Sequence, residues 1–373
     1  MLFSSCQSTP AENLPTLAAP TTPPTESYPL NFPVSTQLAW FYKPPINASI
    51  ADITKYFKFF ILTKGDEDAR NTLLSLKANR PILRYVRIDA IMDPESCDAK
   101  PYRNQAAFLP GDFCKISTEH PDWFLLDING QRIYKTDSGK MYYYMDPGNQ
   151  GWRDFFLSRL WDVYRSDPKW DGVFLDNIEA SFEIREQRKK MPQAYLVEES
   201  YVEAIQGFLE YIHKGFFSPA NQKAYGNIIA IRDEADFTRQ ITYLDGAMHE
   251  SWTLSKTFGY RGPDEWEKHL TLAEDTQKMG KYIVLVAQGS QEDFERQKFA
   301  FASYMLINRG LASFRYANSD VYNQAWLYEN YSIDLGQPTG DRYKQGQAWR
   351  RDFSNGWVSV NPESHEVIIN LGK

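Results

Sequence analysis

Short apolar runs alternate along the chain with longer stretches whose apolar residues recur at helical spacing. Eight runs read as strands: 37–42, 57–62, 81–86, 172–176, 227–231, 245–250, 281–287 and 310–314. The stretches between them read as helices. Leu73, Leu74 and Leu76 fall within 66–78. The segment 152–164 precedes the fourth strand, and 294–307 precedes the eighth. Tyr201, Ile205, Phe208, Leu209 and Ile212 share one helical face before the fifth strand. Buried strands alternating with helices predict a parallel sheet, and eight such units close into a (β/α)8 TIM barrel of the α/β class. An open doubly wound sheet is the alternative.

Two segments do not fit the alternation. A ninth apolar run, Met141 to Met145, falls in a long third βα loop over 87–170, which also holds Cys97 and Cys114. In the last thirty or so residues, Asn355-Gly356 and Asn361-Pro362 separate runs of alternating polarity. This predicts a small antiparallel unit, residues 341–373, packed on a barrel that spans 34–340. Residues 1–33 are rich in Pro, Thr and Ala without periodicity, a tether rather than a fold.

Composition narrows the functions open to such a chain. Of 373 residues, 41 are Lys or Arg and 48 are Asp or Glu, giving a net charge of −7. That balance disfavours nucleic acid as a partner, because neutralising phosphates needs a basic surface. Aromatic residues reach 15%, which suits both a large core and a cleft that stacks on sugar rings. The five His are scattered, with no metal-ligand spacing, so neither a metal nor another cofactor is expected. The opening Leu2-Phe3-Ser4-Ser5-Cys6 resembles the end of a bacterial lipoprotein signal. A lipid on Cys6 would be the only membrane attachment, and with the spacer it points to an extracellular or cell-surface monomer. In that oxidising setting Cys97 and Cys114 are candidates for a disulfide.

In a barrel the chemistry gathers at the carboxyl ends of the strands. The fourth strand ends in Asp176-Asn177 and the sixth in Glu250. Two carboxylates facing each other across a barrel mouth are what glycoside cleavage needs: one to attack or activate water, one to protonate the leaving oxygen. Burial or a neighbouring carboxylate would keep the acid protonated. Other strand ends supply candidate carbohydrate contacts: Trp40, Tyr42, Arg84, Tyr85, Asn177, Asn227, Trp252, Gln288 and Arg315. Each aromatic among them could equally pack in the core. Asp176 could instead cap a helix, and Glu250 could pair with Arg84 or Arg315. Glu179 is a rival acid that falls in the loop beyond the fourth strand, and Asp146 reads as the cap of the helix near Trp152.

The run Tyr144-Met145-Asp146-Pro147-Gly148-Asn149, the helix after it, and Asp171-Gly172-Val173-Phe174-Leu175-Asp176-Asn177 resemble hypothetical glycosyl hydrolase family 15. So do the C-terminal segments 334–338 and 351–362. The resemblance covers roughly residues 35–373, and its sharpest motif is the Asp-Gly-x-x-x-Asp-Asn strand. That family is related in pattern to endo-α-1,4-polygalactosaminidases and, more distantly, to retaining α-galactosidases. The resemblance implies Asp176 as nucleophile and Glu250 as acid/base, acting on an α-linked saccharide. In the α-galactosidases the strand-six residue is usually Asp, so Glu250 departs by one methylene. A carbohydrate-binding protein that kept the barrel but lost turnover is the alternative. A metal-dependent deacetylase is disfavoured, because the His are scattered.

Overall fold

The eight runs form eight parallel strands that close in chain order into one barrel. They are β1 (Leu38–Tyr42), β2 (Phe57–Leu62), β3 (Ile82–Arg87), β4 (Gly172–Glu179), β5 (Lys223–Ile229), β6 (Gly246–Glu250), β7 (Tyr282–Gln288) and β8 (Ala312–Ala317). This computed structural model describes residues 36–257 and 259–372; Cys6 and the spacer 1–33 lie outside them. The closed barrel replaces the open-sheet alternative. Strand bounds differ from expectation mainly at β4, which runs three residues past the expected end at 176, at β5, which starts four residues earlier than the run 227–231, and at β8, which lies two to three residues later than 310–314. Among the described residues, no helix is long and apolar enough to cross a membrane.

Side-chain alternation splits the core into two layers. Ala39, Phe41, Phe59, Ile61, Leu83, Tyr85, Phe174, Tyr225, Met248, Val284 and Val286 fill the barrel interior. Their strand neighbours, such as Trp40, Ile82, Val173, Leu175, Ala247 and Leu285, pack outward in the cluster that holds the helices. Two strand-opening glycines let the strands approach. A Cβ on Gly172 would meet the Lys223 carbonyl oxygen at 2.0 Å, and one on Gly246 would meet that of Tyr282 at 2.3 Å.

The long third loop carries its own three-stranded antiparallel sheet: Ala90–Met92, Tyr134–Asp137 and Lys140–Tyr144. The ninth apolar run is the last of these. The helix Asp112–Glu119 joins it, and a Cys97–Cys114 disulfide ties that helix to the loop before it. The barrel helix Gln150–Ser166 is capped by Asn149, whose side chain accepts from the Trp152 N–H. Asp146, expected in that role, instead accepts from the Tyr195 hydroxyl and the Gly148 N–H. At the C-terminus, Tyr343–Gln345, Ala348–Phe353, Gly356–Val360 and Val367–Leu371 form a four-stranded antiparallel sheet. Its Val358 and Val360 are buried in the outer core, and Arg351 donates to the carbonyls of Met305 and Asn308.

Candidate active site

Alternation delivers Asp176, Asn227 and Glu250 to the mouth. Each stands two residues beyond an interior residue of its strand: Phe174, Tyr225 and Met248. The β4–β5 register shifts between Leu175 and Ile178, and Asn177 takes a left-handed backbone, φ 67°. An irregularity of this kind re-aims side chains at a strand end. Ser251, directly after Glu250, is also left-handed at φ 59°.

Asn227 links the two acids. Its Nδ2 lies 3.1 Å from Asp176 Oδ1 and 3.3 Å from Glu250 Oε2. Those two carboxylate oxygens are therefore no farther apart than the two distances laid end to end, about 6.4 Å. Tyr85 donates its hydroxyl to Asp176 Oδ2 at 2.5 Å, and Tyr322 donates to Glu250 Oε1 at 2.8 Å. These are neutral donors, which hold a carboxylate in place without adding a formal charge beside it.

Two neighbouring acids are committed differently. Asp89 receives a bidentate pair from Arg87, at 2.6 and 2.9 Å. Against the burial that would raise it, Arg87 holds the Asp89 carboxyl below its ordinary range. Glu179 closes β4 rather than lying in the loop. It takes two bonds from Arg185, at 3.0 and 2.6 Å, and one from Tyr201 at 2.8 Å. Paired in this way, both are poor candidates for proton transfer.

A cavity of about 860 Å³ opens at this end of the barrel. Asn177 and Glu250 line it, with Asp89, Lys135 and Tyr144 from the long loop and its flanks. It continues past Glu250 toward the helix Pro263–Lys278, where Arg261, Lys268 and His269 line it. Asp176 is 0% exposed and sits behind this wall, whereas Glu250 is partly exposed. Burial raises the Asp176 carboxyl above its ordinary pKa, opposed by the Tyr85 hydrogen bond and the Arg87 charge. Lys135, on the strand Tyr134–Asp137, is pushed down to about 8 by burial and then by Arg87, while Asp89 and Asp176 pull it back up.

The strand-end contacts expected from sequence mostly fall elsewhere. Of the nine, only Asn177 lines the cavity. Asn227, Tyr85 and Gln288 are buried beneath or beside the acids: Asn227 and Tyr85 bond the carboxylates directly, and Gln288 bonds Tyr322. Tyr42 lies in the barrel interior, its hydroxyl against Met248. Trp40 points outward and donates to the Lys43 carbonyl. Arg84 is also buried, its guanidinium over the Phe108 ring. Trp252 is buried, donating to the His269 carbonyl. Arg315 stacks on Trp40 and donates to Ala39 O and Tyr322 O, in the seam where β1 and β8 share a single paired position. Neither suggested ion pair forms with Glu250: both arginines are committed to these places. Asp176 caps no helix. Sequence reasoning missed Asp89, Lys135 and Tyr322, all from loops or insert strands without a periodic signal.

His249 faces outward from β6 onto His269, with ring centroids 4.4 Å apart in a T-shape. Burial, then Arg261, pushes His249 down to about 3; burial and His249 lower His269 as well. Both are therefore neutral when folded near neutral pH, but take protons below about pH 6.5 when unfolded. The unfolded state then binds more protons, so stability falls as pH drops from about 6.5, by about 1.4 kcal/mol per pH unit for each histidine. Denaturant melts of His249→Gln should show a shallower loss between pH 6.5 and 5 than wild type; an equal slope would contradict this. Among the described residues, no three His, Cys, Asp or Glu are placed to hold a metal ion.

The profile of hypothetical glycosyl hydrolase family 15 matches residues 84–357, more than half of the chain. The glycoside hydrolase domain of PelA from Pseudomonas aeruginosa is similar in structure, with a TM-score of 0.50 and 14% identity over 79% of this chain and 98% of that one. An α-amylase from Malbranchea cinnamomea is similar at a TM-score of 0.52 and 10% identity, over 88% of this chain and 85% of that one. Identities this low establish a shared fold. No curated protein matches.

Proposed function

Because the chain belongs to hypothetical glycosyl hydrolase family 15, we propose that it cleaves an α-linked saccharide with Asp176 as nucleophile and Glu250 as acid/base. The observation that carries this is the single Asn227 amide touching both carboxylates. Its bound of about 6.4 Å between the nearest oxygens includes the 5–5.5 Å separation of retaining enzymes. It falls short of the 6.5–9.5 Å that leaves room for an inverting water. Retention is therefore the favoured course.

In that course, Asp176 attacks the anomeric carbon while Glu250 gives its proton to the departing oxygen. Glu250, now ionised, takes a proton from water as that water displaces Asp176. Glu250 already borders the cavity. Asp176 must be uncovered for the attack. Asn177 Oδ1 is buried without a hydrogen-bond partner, an acceptor open to a sugar hydroxyl. The non-catalytic alternative would leave a buried aspartate with a raised pKa and no use.

The reverse assignment, with Asp176 as acid and Glu250 as nucleophile, has one observation in its favour: the complete burial of Asp176. Accessibility at the cavity would suit Glu250 to attack. Identifying which carboxylate becomes covalently labelled separates the two.

As nucleophile, Asp176 must be ionised, so its raised pKa should set the acid limb of kcat/KM above the usual aspartate range, near 3.9. Below that limb the rate should fall tenfold per pH unit. Tyr85→Phe removes a hydrogen bond to the charged form and should move the limb to still higher pH. A pH–rate profile in which Tyr85→Phe leaves the limb in place would contradict the assignment.

The lipobox-like start and spacer, in this reading, hold the enzyme at the cell surface. The Cys97–Cys114 disulfide suits that oxidising compartment. The test of activity is a screen of α-linked polysaccharides, galactosamine polymers included, with Asp176→Asn as control. Product release by wild type alone is expected; release by both would overturn the proposal.

A further inference from the structure

A chain of hydrogen bonds ends on Glu250 and comes from outside the acid pair. Ser251 Oγ donates to Gln288 Oε1 at 3.0 Å, and the Lys256 N–H approaches the same oxygen at 3.4 Å. With its oxygen engaged by two donors, the Gln288 amide must turn its Nε2 to the other side. There it donates to the Tyr322 hydroxyl at 2.9 Å. The phenolic oxygen thus accepts from Gln288, so its own hydrogen is free to point at Glu250 Oε1, 2.8 Å away.

Tyr322 itself is fixed at both ends. Its ring meets Phe41 and Tyr42 edge-on, with centroids 4.8 and 5.7 Å away. Its backbone carbonyl accepts from Arg315 at 2.9 Å. This gives the buried Arg315 a use: it anchors the loop after β8 that brings Tyr322 over the mouth.

We infer that Tyr322 is the positioning residue for Glu250: its bond to Oε1, 2.8 Å against the 3.3 Å from Asn227 to Oε2, reserves Oε1 as the stronger acceptor and leaves Oε2, the oxygen on the Asp176 side, to carry the transferable proton. The inference rests on Glu250 being the acid/base. Two consequences follow. The proton is presented toward the space between the carboxylates, where a scissile oxygen would lie. The donated hydrogen bond also favours ionised Glu250, the form left once the proton has gone to the leaving group. Tyr322 touches Glu250 and not the reacting atoms.

Other titratable groups on elements around Glu250 are Asp176 and Glu179 on β4, Asp89 and Lys135 from the long third loop, Arg188 after β4, Arg232, Asp233 and Glu234 after β5, His249 on β6, and Lys256, Arg261, Asp264, Glu265, Glu267, Lys268 and His269 after it. Asp320 lies in the same loop as Tyr322. Tyr322→Phe leaves all of them in place, so a change in Glu250 titration reports the lost hydroxyl.

The test is a carbon-13 NMR titration of protein labelled at the glutamate side-chain carboxyl, with the Glu250 signal assigned by its loss in Glu250→Gln. Tyr322→Phe, which keeps the ring packing, should raise the Glu250 pKa by about one unit or more, the scale of a hydrogen bond to a charged group. Gln288→Met, which frees the hydroxyl to turn away, should raise it by less. On a saccharide with a poor leaving group, whose cleavage needs the Glu250 proton, the alkaline limb of kcat should move up with the pKa while KM holds. A Glu250 pKa unchanged in both variants would overturn the inference. The titration needs no substrate. A shifted pKa in a protein that cleaves nothing would uphold the Tyr322 assignment and refute the hydrolase reading alone.

Discussion

Asp176→Asn is expected to lower cleavage by about 10⁴-fold or more, the scale reached when a nucleophile that acts with its partners is removed. The fold should not suffer. Asp176 is fully buried and its carboxyl titrates above the ordinary range, chiefly because burial disfavours its charge. A carboxyl whose folded pKa lies above its unfolded one stabilises the fold at low pH. That stability is lost as pH rises through the folded value. At neutral pH the charge is therefore a cost, about 1.4 kcal/mol for each unit by which the folded pKa exceeds the unfolded one. Asparagine is never charged, so the variant avoids that cost. It keeps one acceptor oxygen, so part of the gain is returned through a weaker bond to Tyr85 or Asn227. Thermal melts at pH 7 should place Tm at or above wild type, with the difference shrinking toward pH 4. A lost activity accompanied by a clearly lower Tm at pH 7 would point to Asp176 as a structural residue.

Glu250→Gln is expected to behave differently from one substrate to another. A natural sugar leaving group needs a proton, and losing the acid should cost about 10²–10⁴-fold. An aryl leaving group with a low pKa needs little help, so the bond-breaking step should be nearly spared. Removal of the covalent intermediate also uses Glu250, now as base, so that intermediate should build up and appear as a burst. Steady-state and pre-steady-state rates on paired natural and activated substrates check this. Equal losses on both kinds of substrate, without a burst, would take Glu250 out of the acid/base role.

Both positions stand out in the sequence because each follows an apolar run toward the carboxyl end of a strand, where a barrel collects its chemistry. Parity along the strand puts both at the mouth, two steps from Phe174 and Met248. The same logic failed for Trp40 and Arg84. In strands buried on both faces, neighbours on either side are apolar, so composition does not say which face is the interior. Trp40 and Ala39 differ by one position, yet one packs against helices and the other fills the barrel. Arg315 misled for another reason: a charge near a strand end suggests the mouth, but this one replaces backbone pairing missing between β1 and β8. The Asn149 cap was overlooked in favour of Asp146, because two capping residues stand three apart and only the structure shows which one the helix begins from. Tyr322 and Lys135 reach the site from segments far away in sequence, a placement that tertiary folding alone decides.

In the proposed reaction a carboxylate oxygen of Asp176 forms the glycosyl–enzyme bond. Incubation with 5-fluoro-α-glycosyl fluorides of galacto and gluco configuration, followed by mass spectrometry of the digested protein, reads this directly. One added glycosyl group is expected on the peptide that contains Asp176, and none on Asp176→Asn. A label on Glu250 or on any other carboxylate would contradict it.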